Sequence, residues 1–380
     1  MLRWARERAR LEVGALAARF PRLDAWERGD AQPTLKQLED FAKATHAPVG
    51  FLFLRAPPVE TLPIPDYRTM AEARVDRPSP DLLDTIYLCQ QRQDWYHDFA
   101  RAAGETTLPF VGSAKVSDSI EDTASAMRAT LGFDIEDRRM CPTWSEALRR
   151  FIGLADDRGV LVMCSGVVFN NNTRKLAPEE FRGFALVDDL APLVFINGAD
   201  TRAAQMFTLA HELAHVWLGA SGISDPQVVP TPGTGVAKLR NDEVERWCNG
   251  VAAELLVPLA SVRTEARPNA DLAPEVDRLA QRYKVSTLVI LRRLHEAGHL
   301  SRERMRDAYQ TELARLRSAP TSGGGNFYLT LGARASKRFA RALVASTMEG
   351  RTSFTEAFRL LGIKRMSSFD ELGHSLGMRR

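Results

Sequence analysis

The sequence has little that would tie it to an oxidising compartment, a membrane or a polyanion. Its four cysteines, at 89, 141, 164 and 248, include no close pair. That spacing excludes a thiolate zinc ribbon and argues against a disulfide framework. No run approaches the roughly 20 apolar residues that a membrane helix needs. The opening Met1-Leu2-Arg3-Trp4-Ala5-Arg6 also lacks the apolar stretch of a secretory signal. Charge of one sign is missing as well: 51 Lys and Arg against 48 Asp and Glu leave a formal +3 over 380 residues, so bulk charge singles out no partner. Basic residues do outnumber acidic ones from Arg334 onward, which is the ordinary pattern of a solvated surface and a weak pointer to nucleic acid. With 44% apolar and 26% charged residues, the expectation is a soluble, cytoplasmic protein with no membrane partner.

What is present divides into helical ends and a mixed middle. Residues 1–60 read as short helices, with a turn at Trp26-Glu27-Arg28-Gly29 and a capped start at Pro33-Thr34. Ala56-Pro57-Pro58 through Pro63-Ile64-Pro65 cannot be regular helix, because proline fixes φ and removes a donor. Residues 61–112 therefore read as a linker followed by a connecting helix from Pro80 to Gly104. Beyond it, Ile120, Ala124, Met127 and Leu131 recur at helical spacing, as do Trp144, Leu148, Phe151, Ile152 and Ala155. Val160–Cys164 reads as a buried strand. Phe184–Val187 and Leu193–Ile196 flank a turn with Asp188, Asp189 and Pro192, and read as a strand pair. Helices follow over Thr201–Leu218 and Asp242–Leu256, the second ended by Pro258, and Leu279–Leu294 reads as two helices around Val285-Ser286. Ala319-Pro320-Thr321-Ser322-Gly323-Gly324-Gly325 reads as a last connector. The expected organisation is thus 1–60, 61–112, 113–300 and 301–380, an α+β protein with mainly helical terminal modules around a small antiparallel or mixed sheet.

The chemistry concentrates in Phe207-Thr208-Leu209-Ala210-His211-Glu212-Leu213-Ala214-His215. Residues four apart share a helical face, so His211 and His215 can aim two imidazoles at one metal ion. Glu212 is then held beside that ion without ligating it, placed to take a proton from the water that zinc activates. A catalytic zinc needs a third protein ligand and an open position. Glu245 is the best candidate, with Asn249 one turn on as a partner for a ligand imidazole; Glu243 and Glu254 point elsewhere on the same helix. Zinc, one per chain, suits two imidazoles and a carboxylate, and manganese is the alternative. The strand pair ahead of the helix offers an edge to which an extended peptide could add. His295-Glu296-Ala297-Gly298-His299 repeats the five-residue pattern, but Gly298 should end its helix and take His299 off the face of His295. Asn170-Asn171-Asn172 reads as a turn, and Cys248 as core.

Together with Pro63-Ile64-Pro65-Asp66-Tyr67-Arg68-Thr69, Glu180–Leu186, Glu245–Pro258 and Val285-Ser286, this motif resembles the ImmA/IrrE family of metallo-endopeptidases, in the branch with an N-terminal Xre-type helix-turn-helix. The resemblance implies a zincin-like peptidase domain over 113–300, with His211, His215 and Glu245 as ligands and Glu212 as general base. It also implies a protein substrate of the Xre-type repressor class, in a stress, mobile-element or defence circuit. At the N-terminus the match is imperfect: a helix from Pro21 to Arg28 spans only about two turns. Arg19, Arg22 and Arg28 could still reach DNA phosphates, although Asp24, Glu27 and Asp30 are interleaved. The competing reading is a DNA-binding regulator, or an antitoxin with a toxin partner, whose metal site is structural or regulatory.

Overall fold

Side-chain caps mark where several helices begin. Thr34 forms a capping box with Gln37, and Ser119, Thr143, Thr201, Ser286 and Ser353 each accept a backbone N–H from the first turn. The computed structural model describes residues 1–67, 78–224, 236–267, 269–318 and 334–378, and the side chains of 236–240 and 317–318 are outside that description. The connector expected at Ala319–Gly325 also lies outside the described residues, as do Arg68 and Thr69. The chain divides into two units, Met1–Pro63 with Glu72–Tyr87, and Ile64–Ala71 with Leu88–Arg380.

In the first unit α1 (Leu2–Arg8), α2 (Val13–Ala17), α3 (Leu23–Arg28), α4 (Leu35–Ala44) and a 3₁₀ turn (Val49–Phe53) enclose Trp4, Leu16, Phe20, Leu23, Trp26 and Phe41. Phe20 meets Phe41 edge-on at 5.4 Å. Arg6 clasps Glu27 through two hydrogen bonds of 2.7 and 3.0 Å, which fixes α1 against α3. The helix expected from Pro21 starts only at Leu23, because Arg22 takes a non-helical cap conformation; Gly29 ends it at φ +85°.

α5 (Pro80–Ala102) crosses from the first unit into the second. There α6 (Ile120–Leu131), α7 (Ile135–Arg139) and α8 (Trp144–Asp157) lead into β1 (Leu161–Ser165), β2 (Gly183–Leu186) and β3 (Leu193–Asn197). Next come α9 (Arg202–Leu218), β4 (Gly222–Ser224) and α10 (Val236–Leu256). The sheet is mixed, ordered β1-β3-β2-β4: β1 runs parallel to β3, while β2 is antiparallel to both β3 and β4. β1, β2 and β3 are buried throughout, so alternation is absent and the sheet is covered on both faces. Val162, Cys164, Ala185, Val194 and Ile196 join the core that α9 and α10 complete. Among the residues outside that core, Phe184 and Phe195 stack at 5.1 Å, and Met163 receives the buried Arg92 guanidinium of α5. The fold is α+β.

α10 begins six residues before the expected Asp242, in line with the good helix formers Ala237, Lys238, Leu239 and Arg240. It ends without a glycine cap, since Pro258 follows closely, and three arginines take its last carbonyls. Arg128 reaches Glu254 O at 2.7 Å, Arg138 reaches Leu256 O, and Arg293 reaches Val257 O at 2.8 Å. Cations at that end also complement the helix dipole. α11 (Leu259–Glu265), α12 (Leu272–Tyr283), α13 (Thr287–Glu296) and α14 (Arg302–Ser318) follow.

The last module, α15 (Lys337–Met348), α16 (Phe354–Leu361) and α17 (Met366–Ser375), is tied to the sheet-bearing region by polar contacts. Asp156 on α8 accepts from Ser336 Oγ and from Arg338 N at the start of α15. Asn170 donates to the carbonyls of Leu361 and Gly362, so the Asn170–Asn172 turn is also a docking point. Among the described residues no helix is long and apolar enough to cross a membrane.

Candidate metal centre

From Gln205 to Trp217 every residue of α9 is buried. Polar side chains survive there only where they meet one another. His215 Nε2 lies 3.1 Å from His211 Nε2 and 3.1 Å from Glu245 Oε1, and His211 Nε2 lies 3.3 Å from Glu245 Oε2. α9 supplies both imidazoles, four residues apart on one face, and α10 packs alongside to deliver the carboxylate. Burial pushes the Glu245 carboxyl up, yet the charge of His211 and hydrogen bonds from both histidines bring it down to about 2. Burial holds His215 below the ordinary histidine value against the pull of Glu245. A carboxylate and a neutral imidazole are the forms in which these groups ligate.

The three residues satisfy the requirements of a metal-ligand group. A tetrahedral site with bonds of about 2.0–2.1 Å has edges of about 3.3 Å, close to the three distances above. His211 Nδ1, His215 Nδ1 and Glu212 Oε1 are buried without a full hydrogen bond among the described residues, whereas the two Nε2 atoms and the two Glu245 oxygens lie against one another. Two imidazole nitrogens and a carboxylate facing one point are satisfied by a cation there.

Glu212 is buried, and its Oε2 accepts a 3.4 Å hydrogen bond from Ser224 Oγ. Burial and the nearby Glu245 charge push its carboxyl well above the ordinary range, and Ser224 opposes them. Gly183, first residue of β2, backs this side chain: a Cβ there would come within 3.0 Å of Glu212 Oε1 and 2.8 Å of Phe195 O.

Several sequence expectations fare differently. Asn249 is buried near Glu245 on α10, but it makes no hydrogen bond to either imidazole, and its Oδ1 has no partner among the described residues. Cys248 is core: burial first, then the charges of Glu245 and Glu212, push its thiol well above 9. Glu254 is committed to Arg293 at the far end of α10, and Glu243 is exposed. The repeat at His295 does not assemble. α13 ends at Glu296, Gly298 turns at φ +86°, and His295 Nδ1 meets Leu300 O at 2.8 Å. In the first unit Arg19, Arg22 and Arg28 are exposed; Arg28 pairs with Asp30 at 2.8 Å, and Arg19 lies over the Phe20 ring at 5.3 Å.

The open sheet edge expected beside the strand pair needs correction. β4 covers β2, and the chain's own Pro65–Tyr67 covers β4: Tyr67 N donates to Ile223 O and Ile223 N to Pro65 O, both at 2.9 Å. This brings the Tyr67 ring against His215, with centroids 5.4 Å apart. Ser224 and Tyr67 are thus site residues that the local sequence did not disclose. β4 is only three residues long, and Tyr67 precedes His215 by 148 positions (215 − 67).

Residues 155–295 match the model of peptidase family M78, described as the IrrE N-terminal-like domain. Residues 335–375 match a domain of unknown function (DUF8813). No curated protein and no solved structure matches the chain. The first match spans β1–β3, α9, α10 and most of α13, including the whole His211/His215/Glu245 cluster. It supports a metallopeptidase role and the ImmA/IrrE resemblance over that segment.

Proposed function

We propose that this chain is a site-specific zinc endopeptidase. The observation that carries the reading is the convergence of His211, His215 and Glu245 at 3.1–3.3 Å, with Glu212 beside them in an α9 that is buried on every side. His211, His215 and Glu245 would hold the metal. When bound, it supplies Lewis acidity towards a peptide carbonyl and activates water for attack.

The remaining work falls to the chain's own groups. Glu212 Oε1, which has no hydrogen bond among the described residues, takes the proton from the attacking water and returns it to the departing amine. Ser224 Oγ holds the other oxygen and so fixes the carboxylate plane. The raised affinity of Glu212 for a proton suits a base that must also act as an acid, although a bound cation would counter the Glu245 charge that contributes to it. Burial of α9 keeps bulk water from the groups that move the proton.

The substrate we propose is a regulatory protein of the Xre-type repressor class, cut in the cytoplasm, because a broad peptidase there would endanger the cell. Support for the substrate class is the resemblance of the flanking motifs; the family match bears on the peptidase chemistry alone. Purified repressor incubated with zinc-loaded wild type should be cut at one bond, and Glu212→Gln should slow this by about 10²–10⁴-fold while keeping its metal. Undiminished cleavage by Glu212→Gln would remove the mechanism. The alternative, a regulator acting through DNA, draws on exposed Arg19 and Arg22 in the first unit.

A further inference from the structure

Metal-ligating histidines are ordinarily held in orientation by a hydrogen bond on the nitrogen away from the metal. Here His215 Nδ1 is buried with no full hydrogen bond among the described residues, and the Ala220 backbone is the polar group that acts on the ring. The nearby Asn249 supplies no hydrogen bond to it. A second contact bears on this ring: the Tyr67 side chain lies against it, centroids 5.4 Å apart and planes 30° from parallel. Ring pairs at this centroid spacing are favourable beyond the area they bury.

The placement of Tyr67 is built into the sheet. Two backbone hydrogen bonds of 2.9 Å with Ile223 set its register one position from Ser224, whose Oγ lies 3.2 Å from His215 Nε2. The chain bends at Pro63-Ile64, and Pro65 fixes φ just before the paired segment. Gly222 completes the arrangement: a Cβ there would fall 2.2 Å from Tyr67 Cε2 and 2.3 Å from Cδ2, so any side chain at 222 would drive the ring away.

We infer that Tyr67 is a positioning residue of the metal centre: its ring, seated over Gly222, clamps the His215 imidazole. The clamp acts through the face of the ring and not through the hydroxyl. This rests on the reading of His215 as a metal ligand.

The test is the zinc affinity of the full-length protein by competition with a chromophoric chelator, together with the visible spectrum of the cobalt(II)-substituted protein. Tyr67→Ala should weaken binding about 10-fold or more, the range seen when groups that orient ligands are removed, and should shift the cobalt bands. Tyr67→Phe should keep both the affinity and the spectrum. Gly222→Ala should reproduce Tyr67→Ala although it removes no atom of the ring. Wild-type affinity and spectrum in Tyr67→Ala would overturn the inference, as would damage in Tyr67→Phe equal to that in Tyr67→Ala. Equal zinc binding by wild type and His211→Ala would instead overturn the metal centre itself, so the two failures are distinguishable.

Discussion

Arg293→Met should be among the most damaging single changes remote from the metal centre. In the wild type the Arg293 and Glu254 side chains are 4% and 6% exposed and paired. Arg293 also donates to Val257 O at 2.8 Å and to Glu296 at 2.6 Å. Methionine keeps most of the volume but strands the Glu254 carboxylate in the interior. Removing one partner of a buried pair costs about 3–5 kcal/mol. The Leu259 N–H, 3.2 Å from the same carboxylate oxygen, remains, which places the expected loss near the low end, at about 3 kcal/mol. For a unit of about 300 residues, at about 2.1 cal/mol/K of unfolding entropy per residue, that corresponds to a fall in melting temperature of roughly 5 °C. Urea unfolding followed by far-UV circular dichroism measures it, and Glu254→Met/Arg293→Met supplies the control. With both charges gone nothing is stranded, so the double variant should recover at least about 1 kcal/mol relative to Arg293→Met alone. Stability of Arg293→Met within about 1 kcal/mol of wild type, or a double variant as unstable as the sum of the singles, would refute the reasoning.

The His97–Asp188 pair should give the stability a pH dependence. The 2.9 Å hydrogen bond to Asp188 raises the His97 value, so this contribution is complete below about pH 6.5, the unfolded value, and is lost as pH rises through the raised folded value. Burial pushes Asp188 up, but hydrogen bonds from His97, Leu190 and Ala191 bring it below the ordinary range; its contribution is present above about pH 4 and lost on further acidification. His97→Gln should flatten the alkaline loss, and melting curves between about pH 6 and 9 that stay parallel for both proteins would contradict this. If the first unit contacts DNA, Arg19→Ala and Arg22→Ala should each reduce the salt dependence of binding by about one phosphate contact, read by fluorescence anisotropy across a salt series; an unchanged slope removes these arginines from the interface.

The main features of the site were legible because short-range physics sets them. The i, i+4 spacing of His211 and His215 within an apolar helix, with Thr201 before it and Gly219 after it, fixes which side chains share a face. Glu245 followed from the need for a third ligand and from its own helical segment. The partners of Glu212 and His215 did not follow. Ser224 stands in a three-residue strand with too little pattern to detect, and Tyr67 reaches the site through a strand register set by Ile223. The expected open edge failed for the same reason, since whether a strand has a neighbour depends on distant chain. Asn249 shows the converse: sharing the Glu245 face puts it near the site, but a hydrogen bond also needs the right reach and angle. The docking of the last module through Asp156 and Asn170 likewise joins residues about 180–190 positions apart.

In the proposed function three side chains, His211 and His215 from α9 and Glu245 from α10, hold one catalytic metal ion. Metal content by mass spectrometry on wild type and Glu245→Ala, purified without metal-affinity steps, measures this. About one zinc per wild-type chain, lost in Glu245→Ala, is the expected result. A wild-type protein that binds no zinc when it is supplied, or full occupancy in Glu245→Ala, would contradict the claim.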